Sequence, residues 1–211
     1  MIKIKKIISG PLEVNCYLVY DTQTMHTLIV DPGEDGEHVI KEIESGAFIP
    51  EMLVNTHGHY DHILSDELIR KRFSIPLAAH KDELLMLADP KKNGSAFYGI
   101  PAAVNAPEIM LEDGQKVELS FVSFTVIHTP GHTKGGICLL FDGFIITGDT
   151  LFAGTIGRTD FPYSSYEDMM SSLEKIKRLE PSLEIYPGHG SRTTLANELR
   201  HNSFLNGSSN D

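Results

Sequence analysis

The chain opens on alternation: Ile2, Ile4 and Ile7 stand among lysines, the pattern of a half-exposed edge strand. Gly10-Pro11 breaks it, and an apolar run resumes at Val14–Tyr20. A polar turn fills Asp21–Thr24 before a further apolar run at Thr27–Val30. This order predicts an antiparallel meander. After Asp31-Pro32-Gly33 the period changes, because Val39, Ile40 and Ile43 fall at helical spacing within Gly36–Ser45. Met52–Asn55 reads as a short buried strand. Ile63–Phe73 reads as a helix with Ile63, Leu64, Leu68 and Ile69 on one side, followed by a strand at Pro76–Ala79 and a short helix at Lys81–Ala88.

Asp89–Pro107 contains three prolines and two glycines with little periodicity, which predicts a long surface loop. Loops of that length are uncommon and often functional, so this one is expected to border a substrate cleft. Strand-like segments follow at Lys116–Leu119, Ser123–His128, Ile137–Phe141 and Phe144–Thr147. Tyr166–Leu179 is an amphipathic helix, Glu184–Tyr186 a last strand and Thr194–His201 a short helix. Two runs of strands, each relieved by helices, predict an α/β architecture of two packed sheets with helices outside. One domain is expected over residues 1–205, and a disordered tail over the Gly/Ser/Asn-rich residues 206–211.

Charge narrows the partners. Eighteen basic residues against 29 acidic give a net charge of -11, which disfavours a nucleic-acid backbone. A bound divalent pair would offset part of that charge at a site. Cys16 and Cys138 each lie in an apolar, strand-like run and read as buried free thiols, with a reducing compartment as the consequence. The opening MIKIKKIISG has no continuous hydrophobic stretch, so it reads as neither a secretory signal nor a membrane span. The expected location is cytoplasmic. No surplus apolar stripe marks a subunit contact, and no oligomeric state is read from the sequence.

The chemistry concentrates in Thr56-His57-Gly58-His59-Tyr60-Asp61-His62, directly after a strand. His57 and His59 stand two apart, so their imidazoles project to one side of extended backbone. Asp61 and His62 follow where the chain turns into a helix. Four candidate ligands in six residues, with Gly58 leaving room between them, are hard to explain by folding alone. Imidazole and carboxylate are ligands that zinc, iron and manganese accept. Three further places share one context, a strand end followed by glycine and a metal-competent side chain. They are Thr129-Pro130-Gly131-His132-Thr133, Thr147-Gly148-Asp149-Thr150 and Tyr186-Pro187-Gly188-His189-Gly190. Each is weak alone: a lone histidine in a turn is usually structural, and an aspartate there serves equally as a cap or turn former. Asp31 is a candidate support for the site or a plain turn residue. His26, His38, His80, His128 and His201 read as solvated or hydrogen-bonded side chains, with His128 close enough to the TPGHT turn to support it.

Taken in order, HGHYDH, TPGHT, TGDTLF and YPGHG resemble the metallo-β-lactamase superfamily. Within it, GDTLFAGTIGRTDFP followed by PGHG is most similar to the small glyoxalase II-like hydrolases. The motifs run from Asn55 to Gly190, and the resemblance implies a four-layer αββα sandwich of two mixed sheets. It also implies that His57, His59 and His132 hold one divalent metal, that Asp61, His62 and His189 hold a second, and that Asp149 bridges both. Zinc is the expected metal, and the same ligands accept iron or manganese. The implied activity is hydrolysis of a thioester such as S-lactoylglutathione. A hydroxide shared by the metals attacks the carbonyl and the metals stabilise the oxyanion, with Asp61 both ligand and orienter.

Two departures from the longer glyoxalase II-like members bear on the substrate. Only Gly190–Asp211 follows the last ligand, where those members carry a helical domain that contacts glutathione. Gly157-Arg158-Thr159-Asp160 replaces their Lys and Tyr. Arg158 is a candidate to bind a substrate carboxylate bidentately, with an internal ion pair to Asp160 the favoured reading. A mononuclear-iron persulfide dioxygenase resembles the chain in HxHxDH and GRTDF, but Gly188-His189-Gly190 departs from the PAH of that group. Hydrolysis of another ester or lactone stays open. A nuclease is disfavoured by the acidic charge, and a β-lactamase proper by the lack of an export signal. A non-catalytic metal-binding module would have lost a ligand, and none is lost. The expected partner is a small-molecule acyl thioester, with no nucleic acid and no membrane.

Overall fold

Two six-stranded sheets divide the chain between them in the computed structural model, which describes residues 1–207. The first holds β1 (Ile2–Ser9), β2 (Val14–Asp21), β3 (His26–Val30), β4 (Ile49–Val54), β5 (Leu77–His80) and β6 (Ile109–Leu111), in chain order. The first three form the expected antiparallel meander with β1 at the edge, and β3 to β6 run parallel. Parallel neighbours require crossovers. These are supplied by α1 (Gly36–Ser45), by α2 (Tyr60–Ile63) with α3 (Asp66–Phe73), and by a segment containing α4 (Leu84–Ala88).

The second sheet continues with β7 (Lys116–Glu118), β8 (Ser123–His128), β9 (Ile137–Leu140) and β10 (Phe144–Gly148), all antiparallel. A small hairpin of β11 (Leu151–Phe152) and β12 (Thr155–Ile156) follows, then α5 (Tyr166–Ile176). Next β13 (Glu184–Pro187) pairs parallel to β10, with β14 (Thr193–Thr194) at the edge, and α6 (Leu195–His201) and α7 (Ser203–Asn206) close the described chain. Side-chain caps start α1, α5 and α6: Asp35 accepts from the His38 amide, Ser165 from Asp168 and Thr194 from Asn197.

Three apolar clusters define the layers. Leu28, Val30 and Val54 of one sheet meet Phe124, Val126 and Ile146 of the other in the central cluster. Each such side chain contributes about 1.5–3 kcal/mol by its burial. The outer face of the first sheet packs Leu18, Ile29 and Leu53 against Val39, Ile43 and Ile69 of α1 and α3. The outer face of the second packs Ile145 and Ile185 against Met169, Leu173 and Leu195 of α5 and α6. Helix, sheet, sheet and helix therefore stack as four layers, as the resemblance implied. Among the described residues no helix is long and apolar enough to cross a membrane.

The structure corrects several local expectations. The helix read over 63–73 is broken at Ser65, and Leu68 is 40% exposed. The break has a cause: the Gly33 N–H donates to His62 O at 3.1 Å and the Ser65 N–H donates to Gly33 O at 2.9 Å. The turn at 31–33 thus intercepts the bonds that would continue the helix. The 89–107 segment is only partly a surface loop, since Asn93 and Ser95 are fully buried and Val104 joins the core. Short elements escaped the periodicity, namely β6, the β11–β12 hairpin and α7. Asn206, read as the start of the tail, is the last residue of α7. Residues 208–211 of that tail lie outside the described chain.

Candidate metal centre

All seven candidate ligands follow the C-terminal ends of strands. His57, His59, Asp61 and His62 follow β4; His132 follows β8; Asp149 follows β10; His189 follows β13. The ligands converge as two triads, His57–His59–His132 and Asp61–His62–His189. Asp149 lies between them. Its Oδ1 is 3.5 Å from His62 Nε2, and its Oδ2 is 3.4 Å from His132 Nε2 and 3.7 Å from His189 Nε2.

The outward nitrogen of four imidazoles is fixed by a protein acceptor. His62 Nδ1–H donates to Asp31 Oδ2 (3.0 Å), His132 Nδ1–H to Arg158 O (2.8 Å) and His189 Nδ1–H to Leu12 O (3.0 Å). His57 Nδ1–H faces the hydroxyl of Thr56 at 3.1 Å, and that hydroxyl donates onward to Asp31. Tautomers assigned this way leave each Nε2 lone pair aimed inward, the arrangement a metal-binding histidine needs. His59 turns its Nδ1 inward instead, 2.8 Å from His132 Nε2. His62 and His189 bring their Nε2 atoms to 3.3 Å. His57 Nε2 and Asp149 Oδ1 are buried without any hydrogen-bond partner. Convergent nitrogens and orphaned buried acceptors are costly unless a cation satisfies them. The donor set therefore fits two divalent cations.

Charge divides the two triads. Burial, then the neighbouring histidines, holds His57 far below the usual imidazole range. Burial followed by His132 pulls His59 down to about 3. In the other triad burial works against His62, yet Asp61, Asp149 and Asp31 outweigh it and raise it to about 10. His189 is also raised against burial, by Asp61 and Asp149. Asp61 is lowered despite burial, by His62 and His189.

Other candidates fall as follows. Asp31, in left-handed backbone at φ +49°, supports the site: its Oδ1 accepts from the Thr56 amide (2.8 Å) and its Oδ2 from the Thr56 hydroxyl (2.6 Å). Arg158 makes the bidentate pair with Asp160 that its spacing favoured, at 2.9 and 2.8 Å, and lies over the Phe161 ring. Phe161 in turn edges against His59 and His132. His80 and His128 stack at 4.0 Å, and the His128 ring bonds to Lys134 O rather than to a candidate ligand. His26 pairs with Glu51. Cys16 and Cys138 are buried and free.

Several contributors had no sequence signal. Asn15 donates from its amide side chain to Pro187 O (2.8 Å), and Tyr17 donates its hydroxyl to the same oxygen (2.7 Å), so β2 grips the turn that carries His189. The Ser164 hydroxyl donates to His132 O at 2.7 Å. These bonds join residues far apart in sequence, and no local pattern announces them.

The chain belongs to the metallo-beta-lactamase superfamily, whose family pattern matches residues 9–189, and is a metal-dependent hydrolase of that superfamily. Among its relatives is the hydroxyacylglutathione hydrolase GloC of Haemophilus influenzae, 35% identical over 92% of this chain and 94% of that protein. Among solved structures, the BLEG-1 B3 metallo-beta-lactamase superposes with a TM-score of 0.92 at 33% identity, covering 96% of this chain and 99% of that one. TTHA1623 in a di-iron-bound form superposes at 0.86 with 29% identity, covering 95% and 100%.

Proposed function

We propose that this protein hydrolyses a small acyl thioester of the S-lactoylglutathione type, using two divalent cations, zinc first among them. His57, His59 and His132 hold one cation, Asp61, His62 and His189 the other, and Asp149 is shared. The observation that carries the reading is the position of Asp149, within 3.4–3.7 Å of histidines from both triads. The likeness to the GloC hydrolase supports the thioester. The buried free thiols Cys16 and Cys138 support a reducing, cytoplasmic setting.

When bound, the cations supply a nucleophile from water at neutral pH and withdraw charge from the acyl oxygen. The chain's own residues do the rest. Asp31, Arg158 O and Leu12 O hold His62, His132 and His189 in the tautomer whose Nε2 faces the centre. Asp61, beside His62 and His189 at the centre, would present a carboxylate oxygen to the attacking water and orient it. Phe161 shields His59 and His132 on one side. Arg158, paired with Asp160, stands at the rim, where a substrate carboxylate would have to compete for it.

The test is release of free thiol from S-lactoylglutathione by protein reconstituted separately with zinc, manganese and iron. Fast, metal-dependent release is expected. No release with any metal, despite confirmed loading, would discard glutathione thioesters. β-Lactam hydrolysis is the second reading, favoured by the 33% identity to BLEG-1, and a chromogenic cephalosporin in the same assay separates the two. Oxygen uptake with a persulfide substrate, by the iron-loaded protein alone, would point to the dioxygenase instead.

A further inference from the structure

Glu83 is a buried carboxylate that the proposed chemistry leaves unused. It ends the short 3-10 turn Lys81–Glu83 after β5 and is 1% exposed. Its two oxygens are directed at two backbone amides: Oε2 accepts from Gly58 N–H at 2.8 Å and Oε1 from Gly135 N–H at 2.6 Å. Gly58 lies between His57 and His59, and Gly135 lies three residues beyond His132. One carboxylate therefore spans the two turns that carry all three histidines of one triad.

Packing around the two glycines is equally tight. A Cβ at Gly58 would fall 2.7 Å from Glu83 Oε2, and one at Gly135 would fall 2.8 Å from Glu83 Cγ. Neither position leaves room for a side chain, with Met86 also against Gly58 and the Asp82–Glu83 backbone against Gly135. His80, which caps the same turn, stacks on His128 and so anchors the strand end that leads to His132. A different carboxylate, Asp31, bonds His62 directly and reaches His57 only through Thr56.

We propose that Glu83 is a positioning residue for the three-histidine triad. By fixing Gly58 and Gly135 it sets the spacing of His57 and His59 against His132, and so governs that triad's hold on a cation independently of the other. The proposal rests on the reading that the two triads each hold a cation.

Glu83→Gln preserves the shape but turns an NH2 group toward one of the two amides. Zinc binding to both proteins is followed by competition with a chromophoric chelator that resolves successive equivalents, and His59→Ala and His189→Ala assign each equivalent to its triad. Glu83→Gln should weaken the equivalent that His59→Ala abolishes by about 10–100-fold, the usual effect of losing a partner that orients ligands. The other equivalent should stay unchanged, and the cobalt(II) spectrum should change only for the first. Equal weakening of both, or of neither, overturns the proposal. A wild type binding a single equivalent contradicts the two-cation reading. Glu83 then stands or falls on whether that equivalent is lost in His59→Ala and weakened in Glu83→Gln. Should Glu83→Gln fail to fold, amide exchange in the wild type decides: protected Gly58 and Gly135 amides are expected, and free exchange at either refutes the clamp.

Discussion

The two triads use nearly the same side chains in opposite electrostatic settings. His57, His59 and His132 converge without a carboxylate of their own, and burial keeps His57 and His59 neutral. Asp61, His62 and His189 include one carboxylate and lean on Asp31 and Asp149, so His62 and His189 favour the protonated state when no cation is present. One triad therefore offers the neutral imidazoles of His57 and His59, and the other is an ion-paired cluster that satisfies itself. A cation entering the first meets two imidazoles, His57 and His59, that carry no proton to release. A cation entering the second must displace protons, so its binding depends more steeply on pH.

The largest effect is expected at the shared residue. Asp149→Ala should lower thiol release by at least about 10²-fold, the scale of losing one preorganised electrostatic partner, and should weaken both metal equivalents. Retention of both equivalents with full activity would remove Asp149 from the site. Next in size, Asp31→Asn takes the acceptor from His62 Nδ1–H and alters the bonds to Thr56. Metal affinity in the Asp61–His62–His189 triad should fall about 10–100-fold, measured by chelator competition, with the three-histidine equivalent less affected through Thr56 and His57.

Acid and alkali should act on the metal-free protein through different triads. His59, about 3 when folded against an ordinary 6.5, contributes stability that is lost as pH falls below 6.5 toward 3. His62, about 10 when folded, contributes stability that is full below 6.5 and is lost as pH rises through 10. Thermal melting of the metal-free protein across pH should therefore show two separate limbs. His59→Ala should flatten the acid limb and His62→Ala the alkaline one. Identical profiles in both variants would contradict the electrostatic division.

The smallest effect is expected at Arg158. Its guanidinium is already held by Asp160 at the surface, where screening leaves such pairs weak. Arg158→Ala should leave melting and kcat nearly unchanged. A raised KM confined to anionic thioesters would show that substrate displaces Asp160.

What was legible in the sequence follows the same division between local and distant. Every candidate ligand sits in a short motif at a strand end, so residue type and shared context marked all seven as candidates, and hydrophobic periodicity exposed the sheets that carry them. Glu83, Asn15, Tyr17 and Ser164 act through hydrogen bonds to distant backbone atoms, where side-chain pattern carries no information. The break at Ser65 was hidden for the same reason, since the competing partner is Gly33, 32 residues earlier. Two- and three-residue strands such as β6 and β11 are too short for a period to register.

The most direct test of the account is metal content per chain after zinc reconstitution, measured alongside the rate of thiol release as zinc is titrated in. Two zinc ions should bind per chain, with the rate rising to its plateau only as the second equivalent fills. A plateau reached at one zinc per chain, with no second equivalent bound, would contradict it.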